Sequence, residues 1–273
     1  MRSRNQPLSL MAAVVVAIVS LVIGPAVGHG TASAYSPAAD RESLWTQQCL
    51  AWERILTPNT ACVYGDRSSK VVVALVGDSH ASHLFPAIER IARARHWKLV
   101  VMVKVSCGFV DMRIRNLHLG REYTECATWN KNVVRRLAVL RPSLTLVVNS
   151  RRAIHHVLSS QASNSAKGQA LGRMLLRVPG TVRVIIDSPL AGQPTATYLS
   201  LGTIERIGVA VSHDATISLT AATCSRWPCP AKVGTITKFR DREHLTATFS
   251  RTILGAPGGT LDRALVSILS RPA

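Results

Sequence analysis

Carboxylates are scarce in this sequence: Asp and Glu number 15 against 33 Lys and Arg, a formal net charge of +18 at pH 7. A surplus of that size points to anionic surroundings such as acidic envelope polymers or lipid headgroups, with a solvated coat of arginines as the plainer alternative. Aromatic residues are also few, at 5%, and no compact basic run has aromatics interleaved with it, which argues against nucleic acid as a partner. C-x-x-C pairs are missing, and Cys224 and Cys229 are too far apart for a typical zinc knuckle, so no metal is expected. Nor is there an internal repeat or a low-complexity tract, which sets solenoids and arrays aside.

Charge is absent altogether between Arg4 and Asp40. Arg2 and Arg4 precede an apolar run from Leu8 to Val27, and Ala32-Ser33-Ala34 has the small-x-small pattern of a signal-peptidase site, so residues 1–34 read as a signal peptide or a membrane anchor. Cleavage after Ala34 would secrete the protein; retention would anchor it, because the run approaches the roughly 20 residues that span a bilayer. Either way the remainder is expected outside the cytoplasm. A core helix would be amphipathic, and this run is not. The rest of a 273-residue chain that is 47% hydrophobic suffices for one main domain. In that setting the 6 cysteines, Cys49, Cys62, Cys107, Cys126, Cys224 and Cys229, read as disulfides. Of the roughly 15 possible connectivities, the ease of closing short loops favours sequential pairing: Cys49 with Cys62, Cys107 with Cys126, and Cys224 with Cys229.

Residues 35–69 form a polar lead-in, a flap in which Trp45 and Trp52 pack a short helix against the main body, closed by the Cys49–Cys62 pair. From Lys70 onward, short apolar runs alternate with helical stretches, the pattern of an α/β fold with parallel strands. Val71–Val76 is apolar on both faces, as a central buried strand should be, and stops at Gly77. The spacing of Leu84, Ile88, Ile91 and Ala92 predicts a helix over His80–Arg95, and a strand over Lys98–Val103 follows. Cys126–Leu140 is a second helix, Leu144–Val148 a third strand, Leu171–Arg177 the end of another helix and Val182–Ile186 a fourth strand. Residues 188–230 lack clear periodicity and read mostly as loop with a short helix and one strand; Leu245–Leu254 and Leu261–Leu269 close the chain as helices.

The chemistry centres on Gly77-Asp78-Ser79-His80, where an inner strand ends and a helix begins. Ligands of open α/β sheets bind beyond the carboxyl ends of the strands, and a helix N-terminus there stabilises developing negative charge. Gly77 permits the tight turn, and the N–H of Ser79 can itself donate to an oxyanion. The bland alternative is that Asp78 or Ser79 only caps the helix. Near the C-terminus, Asp241-Arg242-Glu243-His244 sets a carboxylate three residues before an imidazole, close enough to fix its tautomer within one turn. His80 and His83 could suggest a metal pair, but without a third ligand they read as surface or cleft residues. His155 and His156 read as solvated, and Asp187-Ser188-Pro189 as a turn.

Taken together, Val76-Gly77-Asp78-Ser79-His80-Ala81-Ser82-His83-Leu84-Phe85-Pro86-Ala87 and Asp241-Arg242-Glu243-His244-Leu245-Thr246 resemble the extracytoplasmic SGNH domains at the C-terminal end of acyltransferase-3 membrane proteins, which O-acylate sugars of the bacterial envelope. Lys104-Val105-Ser106-Cys107 and Cys126-Ala127-Thr128-Trp129 are similar to that family's cysteine-marked region. The likeness spans residues 70–254 and implies a three-layer α/β sandwich around a mainly parallel sheet, of SGNH or flavodoxin-like type, occupying residues 70–273. It implies Ser79 as nucleophile, His244 as general base and acid, and Asp241 as the orienting carboxylate, with no cofactor. The oxyanion donors it implies are the Ser79 amide, the Gly108 amide and the Asn149 side chain, although Pro often stands where Gly108 does and no G-x-N-D motif surrounds Asn149. The implied substrate is an acylated envelope glycan or glycolipid. This chain has one apolar segment where the resembling proteins carry a multi-helix membrane domain, so the expectation divides between work with a separately encoded membrane acyltransferase and hydrolysis of acyl esters alone. Two other classes stand against acyl-ester chemistry: a non-catalytic module that binds anionic glycan or a membrane partner, and a metal-dependent phosphoesterase.

Overall fold

The structure, a computed structural model, describes residues 36–150, 162–186, 202–224 and 228–270. Tyr35–Ala273 form one compact unit. Among the described residues no helix is long and apolar enough to cross a membrane; the run from Leu8 to Val27 lies outside them, as do His155, His156 and Asp187–Pro189.

The core is a sheet built from β3 (Val72–Gly77), β4 (Lys98–Lys104), β7 (Leu144–Val148), β8 (Val182–Ile186) and β9 (Ala215–Ser218), all parallel, in the order β4-β3-β7-β8-β9. Relative to the chain this is the doubly wound 2-1-3-4-5 arrangement, and its order reverses between β3 and β7, where such sheets bind ligands. Strands buried on both faces need apolar side chains on both. Accordingly Val73 and Leu75 face one core with Phe85, Ile88, Phe249 and Leu265, while Ala74 and Val76 face the other with Trp129, Val133, Leu171 and Val184.

Helix α1 (Ser79–Ala94) and the C-terminal elements α6 (Ala247–Phe249), its π-helical continuation Ser250–Leu254, and α7 (Thr260–Leu269) cover the first face. Helices α2 (Thr124–Leu140), α3 (Asn164–Leu175) and α4 (Thr203–Ser212) cover the second. This is the expected three-layer α/β architecture. The strands fall within a residue or so of their predicted bounds; α3, whose end alone is predicted, closes at Leu175 instead of Arg177, and the described part of 188–230 forms α4, β9 and the one-turn α5 (Thr220–Thr223). Small antiparallel ladders pair β5 (Arg115–Asn116) with β6 (Arg121–Glu122) and β10 (Lys232–Val233) with β11 (Ile236–Thr237).

The lead-in joins the sheet. Strands β1 (Leu50–Ala51, parallel) and β2 (Val63–Gly65, antiparallel) share the outer edge of β4, and the Cys49–Cys62 disulfide ties them together. Trp45 and Trp52 meet edge to face at 5.1 Å, on a 3-10 turn and its neighbouring loop. Lys104, fully buried at the end of β4, donates from Nζ to the carbonyls of Trp52, Glu53 and Ile55 at 2.6, 2.9 and 2.7 Å. Its ammonium also lies over the rings of Tyr123 and Trp129, and burial pulls its pKa down to about 8 against the opposing pull of Glu53 and Glu125.

Candidate active site

Ser79 is the first residue of α1, directly after β3 at the point where the strand order reverses. Two neighbours fix that turn. Gly77 has φ +143°, and a Cβ there would sit 1.8 Å from the Val148 carbonyl oxygen, so the β3–β7 spacing at the strand ends requires glycine. Asp78 is the N-cap: Oδ1 accepts from the His80 N–H at 2.8 Å and Oδ2 from the Ser150 N–H at 2.8 Å, fastening the helix start to the end of β7. The capping duty thus falls to Asp78, and the Ser79 hydroxyl is left for other work. The Ser79 N–H belongs to the first turn, whose amides have no intrahelical acceptor.

The hydroxyl meets His244. Ser79 Oγ lies 3.0 Å from His244 Nε2, and His244 Nδ1 lies 3.0 and 2.9 Å from the two carboxylate oxygens of Asp241. Residues 239–245 form a closed loop whose ends are bridged at Phe239 and Leu245, with the Arg240 N–H donating to the His244 carbonyl at 3.0 Å. Inside it Asp241 Oδ1 also accepts the backbone N–H groups of Glu243 and His244, each at 2.8 Å. Burial by itself would raise the Asp241 carboxyl; the hydrogen bond and charge of His244 outweigh it and hold the pKa at about 2, so the group is an anion throughout the physiological range.

His80 and His83 pack beside this triangle, their ring centroids 4.7 Å apart and 5.1 and 6.0 Å from that of His244. His83 is fully buried, and its Nδ1 accepts from the Leu245 N–H at 3.4 Å, tethering the residue that follows His244. Burial above all, then the charges of His80, His244 and Arg240, drive the His83 pKa well below its ordinary value, so this imidazole is neutral. Among the described residues no group of three His, Cys, Asp or Glu side chains is arranged to hold a metal ion.

The two other oxyanion candidates come together through hydrogen bonds between Asn149, at the end of β7, and the loop that follows β4. Asn149 follows Val148, which pairs with Gly77 across the sheet. Its Oδ1 accepts from the Phe109 N–H at 2.7 Å and its Nδ2 lies 3.5 Å from the Phe109 carbonyl. The preceding residue, Gly108, gives its carbonyl to Asn130 Nδ2 at 3.0 Å, and the Cys107–Cys126 disulfide pins the loop to α2. Asn149 therefore anchors the loop that carries Gly108, a role its residue type alone did not reveal.

The third expected disulfide is not formed. Cys224 is a buried thiol and Cys229 a half-buried one, neighbours without a covalent bond. Burial and then the hydrogen bond with Cys224 push the Cys229 thiol up to about 12. Lys238 Nζ lies 3.9 Å from that sulfur but donates chiefly to the Thr223 carbonyl at 2.6 Å.

Sequence reasoning missed the charged pair behind the triad. Glu42 and Arg240, each side chain 1% exposed, form an ion pair at 2.6 Å. Arg240 is conspicuous only as the residue before Asp241; nothing local marks Glu42, about 200 positions away.

Residues 48–215, more than half of the 273, match the family described as the SGNH domain fused to AT3 domains. Among solved structures, the periplasmic domain of a lipopolysaccharide acetyltransferase from Salmonella ser. Paratyphi A is 18% identical, with a TM-score of 0.55 over 71% of this chain and 84% of that one. A carbohydrate acetylesterase from Sinorhizobium meliloti is 12% identical, with a TM-score of 0.46 over 73% of this chain and all of that one. At 18% identity the likeness to the Salmonella domain is one of fold. No curated protein sequence matches the chain significantly.

Proposed function

The chain belongs to the family of SGNH domains fused to AT3 domains, and from that premise we propose that it is an extracytoplasmic serine esterase or O-acyltransferase that works through an acyl-enzyme on Ser79. The observation that carries the reading is the continuous hydrogen-bonded line from Ser79 Oγ through His244 to Asp241, at 3.0 and 2.9 Å. A serine hydroxyl becomes a useful nucleophile when a base takes its proton as it attacks. In this reading His244 Nε2 takes that proton, the Ser79 oxygen bonds to the acyl carbon, and Asp241 stabilises the imidazolium without itself being protonated. The Ser79 amide and the Gly108 loop receive the oxyanion, with Asn149 setting that loop. His244 then returns the proton to the departing alcohol. Water or a sugar hydroxyl resolves the ester, and that choice separates esterase from transferase.

The acyl group on this reading is acetyl, carried on an envelope glycan or glycolipid. Family membership supports it, as does the Salmonella domain's place in a lipopolysaccharide acetyltransferase. We assign residues 1–34 to export or anchoring, 35–69 to the flap and 70–273 to the catalytic domain, with a separately encoded membrane acyltransferase as the partner in the transferase case. The net charge of +18 favours an anionic polymer or membrane surface as its setting and is the one observation that also suits a purely binding module. Turnover of p-nitrophenyl acetate separates the two. Ser79→Ala should lower kcat at least about 1000-fold, in line with loss of a triad nucleophile, with the near-UV circular dichroism unchanged; turnover that survives the substitution removes the catalytic reading.

A further inference from the structure

Glu42 lies in the lead-in, far from the triad in sequence, yet its carboxylate touches both halves of the site. Oε1 accepts from the Trp45 indole at 2.8 Å and from the Ser82 hydroxyl, one turn after Ser79 on α1. Oε2 accepts from Arg240 Nη1 at 2.6 Å. The other edge of that guanidinium faces the triad: Arg240 Nε makes no hydrogen bond among the described residues and stands 3.6 Å from Asp241 Oδ2, the same oxygen that lies 2.9 Å from His244 Nδ1. Asp40, two residues before Glu42, takes the Ala247 N–H on its carbonyl at 3.0 Å and the Thr248 N–H on Oδ1 at 3.1 Å. The lead-in is therefore bonded on both flanks of His244.

We infer that Glu42 is a positioning residue for the triad: it engages Arg240 so that the guanidinium supports Asp241 from behind without displacing His244, and through Ser82 it sets the nucleophile's helix against the acid–base loop. The physical reason is the cost of an unpaired buried charge. Without Glu42, the ion-pair partner left to the buried guanidinium among the described residues is Asp241, and its planar fork would take the oxygens His244 now uses. His244 is faced by Asp241 and Arg240 from its own loop and by Ser79, His80 and His83 from α1, so Asp241 is its only anionic partner among the described residues. A chain that lacks the lead-in carries the three triad residues in the wrong electrostatic setting.

The inference rests on the serine mechanism proposed above for its kinetic consequence, but the geometry has a readout that does not. In the full chain, Glu42→Gln should lower kcat for p-nitrophenyl acetate at least about tenfold with KM within about threefold, and adding Arg240→Met should recover at least about fivefold, because the stray cation is then gone. Independently of turnover, the low-field proton resonance of the His244 Nδ1–H hydrogen bond to Asp241 should be present in the wild type, lost or moved upfield in Glu42→Gln, and regained in the double variant. Wild-type kcat together with an unmoved resonance in Glu42→Gln overturns the inference, as does a lowered melting temperature with both unchanged. Should Glu42→Gln not fold, Glu42→Asp keeps the charge but draws the carboxylate back from Arg240 and Ser82 by one methylene; an unchanged kcat and resonance there also overturn it. Turnover that Ser79→Ala does not lower defeats the serine mechanism alone, and the resonance then decides the role of Glu42.

Discussion

Each residue of the site is defined by what its second contact does. Ser79 is free to face His244 because Asp78 takes the cap, and His244 is held because Asp241 binds both its ring and its backbone N–H. His83 adds a pH dependence whose sign follows from its depressed pKa. Unfolded, it titrates near 6.5; folded, well below, so between those values the unfolded chain binds the extra proton. Stability should therefore fall as the pH drops below about 6.5, by up to about 1.4 kcal/mol per pH unit from this group. Urea unfolding at pH 7 and pH 5 checks it: His83→Asn, which keeps an acceptor for the Leu245 N–H but cannot protonate, should lose less stability than the wild type, and an equal loss would refute the assignment. The triad candidates are legible in sequence because a strand-end serine and a short-range Asp–His pair are local patterns. Glu42 and the anchoring role of Asn149 are not, since each depends on a partner that only folding brings near.

Among the elements, the β3–α1 turn is the most constrained. Gly77→Ala forces a Cβ to 1.8 Å from the Val148 oxygen at a φ of +143°. The strain and the displaced backbone together should cost about 3 kcal/mol or more. Its thermal unfolding should shift down accordingly with most ester turnover lost, and a variant that melts and works like the wild type would show that the strand ends have more room than this. The central strands are easy to read because burial on both faces demands near-continuous apolar runs rich in valine and leucine, as in Val71–Val76 and Leu144–Val148. Helices α3 and α4 are harder, and the reason is packing. Gly168 and Gly172 of α3 leave no space for a Cβ against Ile207 and Val211 of α4, and Gly208 of α4 none against Leu171. Glycine lets the two axes approach closely, yet it counts against a helix in any reading based on propensity. The Cys224–Cys229 pairing rests on short spacing, which makes closure easy but does not orient the two sulfurs, and both remain thiols.

At the scale of the whole molecule, a doubly wound sheet places Ser79 where its strand order reverses, two disulfides and the Lys104 clamp hold the lead-in and the Gly108 loop to it, and the full chain carries a net charge of +18. The overall class is legible in the alternation of strands and helices, whereas the way residues 35–69 complete the sheet edge is not, because β1 and β2 are two and three residues long and carry no periodicity. Family membership and the line from Ser79 to Asp241 both support the acyl transfer through a covalent intermediate proposed above. The most direct test is intact-mass spectrometry of the protein quenched during turnover of p-nitrophenyl acetate, followed by peptide mapping. The account predicts one acetyl group on the peptide that carries Ser79, absent from Ser79→Ala. Turnover with no adduct in rapidly quenched samples, or an adduct that persists in Ser79→Ala, would contradict it.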